Sequence, residues 1–231
     1  MTRFPTSLLT NADGESRCTW CGDDPLYIIY HNREWGIPIV EDRELFEKLT
    51  LDGFQAGLSW ITILRKRENF REAFADFDID RVARFTKRDV NRILRNPGVI
   101  RHRGKIEAAV NNARQAGRLI DEFGSLALYF WRFAPPDAMS ARFRRIADIP
   151  AKTPESISLS KDLKERGFNF VGPTIIYAFM QAAGLVNDHV IGCSAGPRAE
   201  KAQRTLLRSL AGTRNRMQTG TRDLPGCNKV R

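Results

Sequence analysis

An all-α domain is what this sequence predicts, and three observations carry the prediction. Apolar residues recur at helical spacing through most of the chain, no run alternates with period two for long enough to make a strand, and Pro and Gly fall where helices should begin or end. Leu45, Phe46 and Leu49 open the first clear stripe, with Asp42 placed as its cap or in its first turn. Trp60, Ile61 and Leu64, followed by Phe70 and Phe74, predict the next. Val90, Ile93 and Leu94 mark a short helix that Asn96-Pro97-Gly98 must stop. The longest stripe runs Ile106, Ala109, Val110, Ala113, Gly117 and Ile120. Leu159 and Leu163 belong to a further helix, and Thr174 to Gly184 to a nearly wholly apolar one that must be buried.

The chain's 231 residues suffice for a sizeable core, and 42% hydrophobic with 28% charged residues is ordinary for a globular protein. The longest uncharged stretch, Val171 to Asn187, contains Pro173, Gln181 and two glycines, too short and too polar for a membrane span. The first ten residues lack the apolar core of a secretory signal, so a cytoplasmic protein is expected. Membrane, secreted and fibrous classes are thereby set aside. The net charge of +10 is uneven: nine Lys and Arg against two acidic residues from Ser194 onward put +7 of it in the tail. Residues 1–16 are expected to be a flexible end, 17–193 the helical domain, and 194–231 a basic, disordered arm with a turn or two of helix around Leu206, Leu207 and Leu210. Within the body, Arg65-Lys66-Arg67 and Arg101-His102-Arg103 with Lys105 are the clusters that suit a phosphate.

Three constellations carry chemistry. Cys18 and His31 near one end of the body, with His189 and Cys193 near the other, make a Cys₂His₂ set suited to structural, tetrahedral zinc, the last pair sharing a helical face at i, i+4. Cys21, in a C-x-x-C with Cys18, competes as a ligand, and buried structural cysteines with two ordinary histidines are the alternative. Cys227 reads as an isolated thiol. Second, the turn at Gly98, Val99, Ile100 and Arg101 leads into a helix whose first N–H groups and nearby basic side chains suit one phosphate, although Pro-Gly corners also join helices that bind nothing. The residue four past Gly98 is His102, where a lyase of this motif would carry a nucleophilic Lys. Third, Trp20, Tyr27, Tyr30, Trp35 and Trp60 crowd the first sixty residues near Asp52. Aromatic walls with one carboxylate suit a flipped, electron-poor base, but the residues alone favour plain core for these aromatics and a solvated acid or helix cap for Asp52.

Four strings, DPLYIIYHNREWG (24–36), QAGLSWITILRKRENF (55–70), GVIRHRGKIEAAVNNAR (98–114) and KERGFNFVGPTIIYAFMQAAGLVNDHVIGC (164–193), resemble the 3-methyladenine DNA glycosylase I family, in a match running from about Arg17 to Cys193. The resemblance implies a helix-hairpin-helix glycosylase fold with a zinc snap of Cys18, His31, His189 and Cys193, and so a structural Zn2+. It implies a base pocket of Trp20, Tyr27, Tyr30, Trp35 and Trp60, with Asp52 as the polar, catalytic contact to the base. It further implies that Gly57 and Leu58 enter the DNA beside the lesion and that Gly98 to Arg101 grip a phosphate. The expected substrate is alkylated double-stranded DNA and the expected product free 3-methyladenine, released by a monomer without a protein partner. Two departures stand out: the family carries Glu where this chain has Asp52, and nothing after Cys193 matches it. A lesion-binding relative without activity, and a general helix-hairpin-helix DNA-binding module, are the competing readings.

Overall fold

A computed structural model describes residues 7–135 and 143–219 of the chain, with side chains to 209. It is mostly helical. Eleven helices are formed among the described residues: α1 (Pro25–Arg33), α2 (Asp42–Gln55), α3 (Trp60–Arg65), α4 (Arg67–Ala73), α5 (Ile79–Ala83), α6 (Lys87–Leu94), α7 (Arg103–Phe123), α8 (Leu126–Phe130), α9 (Pro154–Glu165), α10 (Pro173–Ala182) and α11 (Gly196–Thr219). No helix among the described residues is long and apolar enough to cross a membrane.

The start signals work as local chemistry dictates. Asp24 caps α1 by accepting from the N–H groups of Leu26 and Tyr27, with Pro25 at the first helical position. Thr153 caps α9 in a reciprocal arrangement with Ser156, and Gly124 ends α7 in the left-handed region at φ 86°. Asp42 lies in the first turn of α2, as expected, and its carboxylate also accepts from Leu126 N–H, the first amide of α8, whose cap is Ser125. The stripe from Trp60 to Phe74 is divided at Lys66 into α3 and α4.

Helix α7 packs against α2, α5, α6 and α8, and α10 lies against α2 and α9. Between them runs one large core whose fully buried rings include Phe46, Phe54, Phe70, Phe74, Phe77, Phe130 and Phe179. A smaller cluster of Cys18, Val190, Cys193 and Ala195 sits beside it.

Two expectations need correction. The first end of the chain is not wholly a flexible lead-in: strands β1 (Leu8–Thr10) and β2 (Ser16–Cys18) pair antiparallel, Leu8 opposite Cys18. Three residues per strand are too few for a period-two signal, so the all-α expectation missed them. The buried Arg17 guanidinium fastens this hairpin by bonding Asn11, both carboxylate oxygens of Asp13, and Asn32 of α1. The second correction concerns the arm. Residues 196–219 are helical, and Ala199, Gln203, Leu206 and Leu207, one face at i, i+4, i+7 and i+8, turn inward. Gln203 donates to Gly184 O at 2.7 Å, and Arg198 to Asn32 O at 2.8 Å. Scattered Arg and Thr had hidden a stripe that is apolar on one side only. The expected Cys227 thiol lies outside the described residues.

Candidate active site and metal centre

Trp20, Tyr27, Tyr30, Trp35, Asp52 and Trp60 all line one open cavity of about 350 Å³, completed by Gln55, Ile146, Ile149, Ala178, Gln181 and Ala182. Its aromatic walls come from separate elements. Trp20 follows β2, Tyr27 and Tyr30 lie a turn apart on α1, Trp35 follows α1, and Trp60 begins α3. Trp20 packs edge to face with Tyr27 at 5.1 Å and with Trp35 at 5.0 Å, and the Tyr30 and Trp60 rings lie tilted to each other at 5.3 Å.

Asp52 supplies the acid at the cavity wall. It is buried, and its Oδ2 accepts no hydrogen bond; Trp60 Nε1 is likewise buried without an acceptor. One free acceptor and one free donor therefore stand at the same cavity, the state of a site built for a polar ligand or water. Burial lifts the Asp52 carboxyl from 3.8 to about 7, with the Lys48 ammonium pulling the other way. Lys48, one turn earlier on α2, is buried behind the aromatic wall, 4.8 Å from the Tyr30 ring and 5.5 Å from that of Trp60. Burial lowers its pKa, and Glu34 at 3.9 Å opposes this. Arg67 grips the same Glu34 with two hydrogen bonds, at 2.5 and 3.1 Å. Lys48, Gln55 and Gln181 escaped the sequence reading. Lys48 and Gln55 lie one turn before and after Asp52 on α2, a spacing signal, whereas nothing in sequence points to Gln181, which donates to Asp188 at 2.8 Å.

The four expected metal ligands converge. The ligand atoms of Cys18, His31, His189 and Cys193 lie within 4.8 Å of one another, all buried. Cys193 Sγ is 3.5 Å from His31 Nε2 and 3.4 Å from His189 Nδ1, and Cys18 Sγ is 3.8 Å from His189 Nδ1. Edges of a tetrahedron around zinc measure about 3.6 Å for bonds of 2.0–2.3 Å. The outer ring nitrogens settle the tautomers. His189 Nε2 donates to Trp35 O at 3.2 Å, and His31 Nδ1 donates to Asn32 Oδ1 at 2.8 Å, an oxygen that also receives Arg17 Nε. Each inner nitrogen thus turns a lone pair toward the thiols, as a metal requires. The residues fit a metal ion. Cys21 Sγ donates instead to Cys18 O at 3.2 Å and is not among the four.

Gly57 and Leu58 form the loop between α2 and α3. Gly57 has φ +83° and open space around its Cα, and Leu58 is 41% exposed. The loop is anchored from beneath: Lys105 Nζ, buried in the first turn of α7, donates to Phe54 O at 2.9 Å and Ala56 O at 2.6 Å, a cation at the carbonyl end of α2. In sequence Lys105 belongs to a basic cluster and lies out of register for a lyase lysine, and nothing in its spacing distinguishes a clamp from a surface charge.

The turn from Gly98 to Arg101 joins α6 to α7. Asn96 Oδ1 accepts from Gly98 N–H, Lys66 Nζ donates to Pro97 O at 3.0 Å, and Val99 is buried while Arg101 is exposed. A Cβ on Gly98 would stand 2.7 Å from the Asn69 side chain, so α4 admits only glycine there without shifting. His102 caps α7 by accepting from Lys105 N–H, which leaves the amides of Arg103 and Gly104 without an intrahelical acceptor.

Residues 20–196 match the family model described as methyladenine glycosylase. The chain is 48% identical over 181 residues to DNA-3-methyladenine glycosylase 1 of Escherichia coli (strain K12), covering 78% of this chain and 97% of that one. A crystal structure of 3-methyladenine DNA glycosylase I superposes with a TM-score of 0.75 at 50% identity, covering 77% of this chain and 98% of the other. So does a variant of such an enzyme in complex with 3-methyladenine, with a TM-score of 0.75 at 35% identity and coverage of 78% and 97%.

Proposed function

This chain belongs to the methyladenine glycosylase family, and from that premise we propose that it removes 3-methyladenine from alkylated duplex DNA by hydrolysing the N-glycosidic bond, leaving an abasic site. The observation that carries the reading is the aromatic cavity with the unpartnered, buried Asp52 carboxylate at its wall. Methylation at N3 puts positive charge on the purine and weakens its bond to the sugar, so the leaving group needs little help. The protein's task is to take the nucleotide out of the stack, hold it, and refuse normal adenine.

Asp52 makes that refusal electrostatic. In the free protein its charge is opposed by burial. A cationic base adds its charge to that of Lys48, ionises the carboxyl and gains the pairing, whereas neutral adenine leaves the desolvation cost only partly compensated. The rings of Trp20, Tyr30, Trp35 and Trp60 add stacking and cation–π attraction, again greater for the cation. Asp52 recognises the base; the carboxylate is one methylene shorter than the family's Glu, so a bridging water completes its reach. Water attacks the sugar directly, with no protein nucleophile.

Gly57 and Leu58 fill the gap left by the flipped nucleotide, in keeping with the exposure of Leu58 and the Lys105 anchor beneath them. The turn Gly98–Arg101 with the open amides of α7 takes a phosphate, as in a helix-hairpin-helix. Cys18, His31, His189 and Cys193 would hold a structural Zn2+, which would tie residues 18–31 to 189–193 and leave no position for reaction. The enzyme works in the cytoplasm as a monomer without a protein partner.

The deciding experiment is base release from methylated duplex DNA by the zinc-loaded protein, with 3-methyladenine and 7-methylguanine resolved by chromatography. Selective release of 3-methyladenine is expected. Tight binding to the methylated duplex without release would make the chain a lesion-binding relative.

A further inference from the structure

We propose that Phe170 is a second apolar contact with DNA, stacking on a base exposed when the target nucleotide leaves the helix. The proposal rests on the glycosylase reading above. Phe170 lies in the turn between α9 and α10. Among the described residues it is the one aromatic in the set of exposed large apolar side chains, at 40% exposure. Its φ of +54° lies in the left-handed region, where an L side chain is strained. The other non-glycine residues with such a backbone are Ala75, Asp76 and Phe77, and there the ring of Phe77 is fully buried and stacks on Phe74. Burial offsets the strain in that turn; at Phe170 it does so only in part.

The strain is imposed by a built framework. The buried Asn112 side chain of α7 makes a reciprocal pair with the backbone of Asn169, accepting from its N–H at 2.8 Å and donating to its carbonyl at 2.9 Å. Asn111 donates to Gly167 O at 2.7 Å and to Asn169 Oδ1 at 2.9 Å. With residues 167–169 held in this way, the chain turns at Phe170 and displays the ring. The place of display is specific. A Cβ on Gly53, near the end of α2, would lie 3.6 Å from the Phe170 Cβ and carbonyl, and the ring stands edge-on to His102, the cap of α7, at 6.1 Å. Phe170 therefore sits where the turn after Gly98 and the carbonyl end of α2, which leads to Leu58, come together. An aromatic held there in a costly conformation gains its return when a base covers it.

The test compares the native chain, Phe170→Asn and Phe170→Trp on duplexes with and without one tetrahydrofuran abasic analogue. Asparagine tolerates φ +54° and lacks the ring. Phe170→Asn should lose about 5- to 100-fold in affinity for the abasic duplex. Its thermal midpoint should stay within about 4 °C of the native value, and its affinity for free 3-methyladenine, read by tryptophan fluorescence, should be unchanged. Phe170→Trp should keep the duplex affinity. Equal binding of the abasic duplex by Phe170→Asn and the native chain would overturn the proposal, and so would a fall in affinity matched by a fall in midpoint and in free-base binding. A native chain that neither releases base nor prefers the abasic duplex would bring down the glycosylase reading first, and this proposal with it.

Discussion

Replacing Asp52 by Asn should stabilise the protein at alkaline pH, have little effect in acid, and end base excision. Burial lifts the Asp52 carboxyl from 3.8 to about 7. In the unfolded chain it titrates near the lower value. Between the two, the folded state binds a proton that the unfolded state has lost, so stability falls as pH rises, by about 1.4 kcal/mol per pH unit. The loss is complete above about pH 7, where it amounts to about 4 kcal/mol. Asparagine has nearly the same shape and no proton to lose. Urea unfolding should therefore find Asp52→Asn more stable than the native chain by about 4 kcal/mol at pH 8, and by only about 1 kcal/mol at pH 4.5. An equal difference at both pH values would show that ionisation at this position is not what destabilises the folded state. A native chain more stable than the variant at pH 8 would mean that the carboxylate has a compensating partner, and the electrostatic account of selectivity would fail with it.

The same ionisation should shape catalysis: kcat/KM for excision should fall on the acid side with a midpoint near 7, and Lys48→Met should move that midpoint upward, because the ammonium favours the carboxylate. An unmoved limb would exclude Lys48 as the tuning group. Lys105→Met should cost about 3 kcal/mol in urea unfolding, since one buried and one partly buried carbonyl lose a charged donor, and should raise KM for duplex DNA while sparing free-base binding; a normal KM would deny the clamp any part in presenting Leu58. Chelation should strip an ion detectable by mass spectrometry, lower the thermal midpoint, and change the emission of Trp20 and Trp35, which abut the ligand histidines. Protein that carries no ion and melts identically with or without chelator would exclude the metal.

Much of this architecture was legible in the sequence because its signals are local. The stripe from Ile106 to Ile120 and the stop at Asn96-Pro97-Gly98 act within a few residues, and both landed on α7 and on the end of α6. The Cys/His set and the aromatic rings stood out by residue type, but chemistry alone left ordinary histidines and plain core open for them, and it was the resemblance that joined the distant halves. What escaped were roles defined by neighbours far along the chain. Lys48 and Lys105 look like surface charges until the folded chain buries them, and nothing near Asp42 shows that its carboxylate also reaches the Leu126 amide at the start of α8. The hairpin at β1 and β2 is too short to show a period, and α11 reveals its inward face only against Gly184 and Asn32.

The Cys/His cluster and the aromatic cavity share a partition. Trp20 and Trp35 line the cavity, yet the ring of Trp20 lies 5.1 Å from that of His31, the ring of Trp35 lies 4.6 Å from that of His189, and the Trp35 carbonyl receives the His189 N–H. Anything that loosens the thiols, such as a peroxide or a competing soft ion, would act on the shape of the base site as well as on the cohesion of the chain. If the cavity holds the base as proposed, the first casualty of a damaged cluster would be fidelity, because displaced indoles would discriminate less well between a lesion and a sound purine. Conditions that alkylate DNA while oxidising thiols would thus weaken the surveillance at the moment it is most needed.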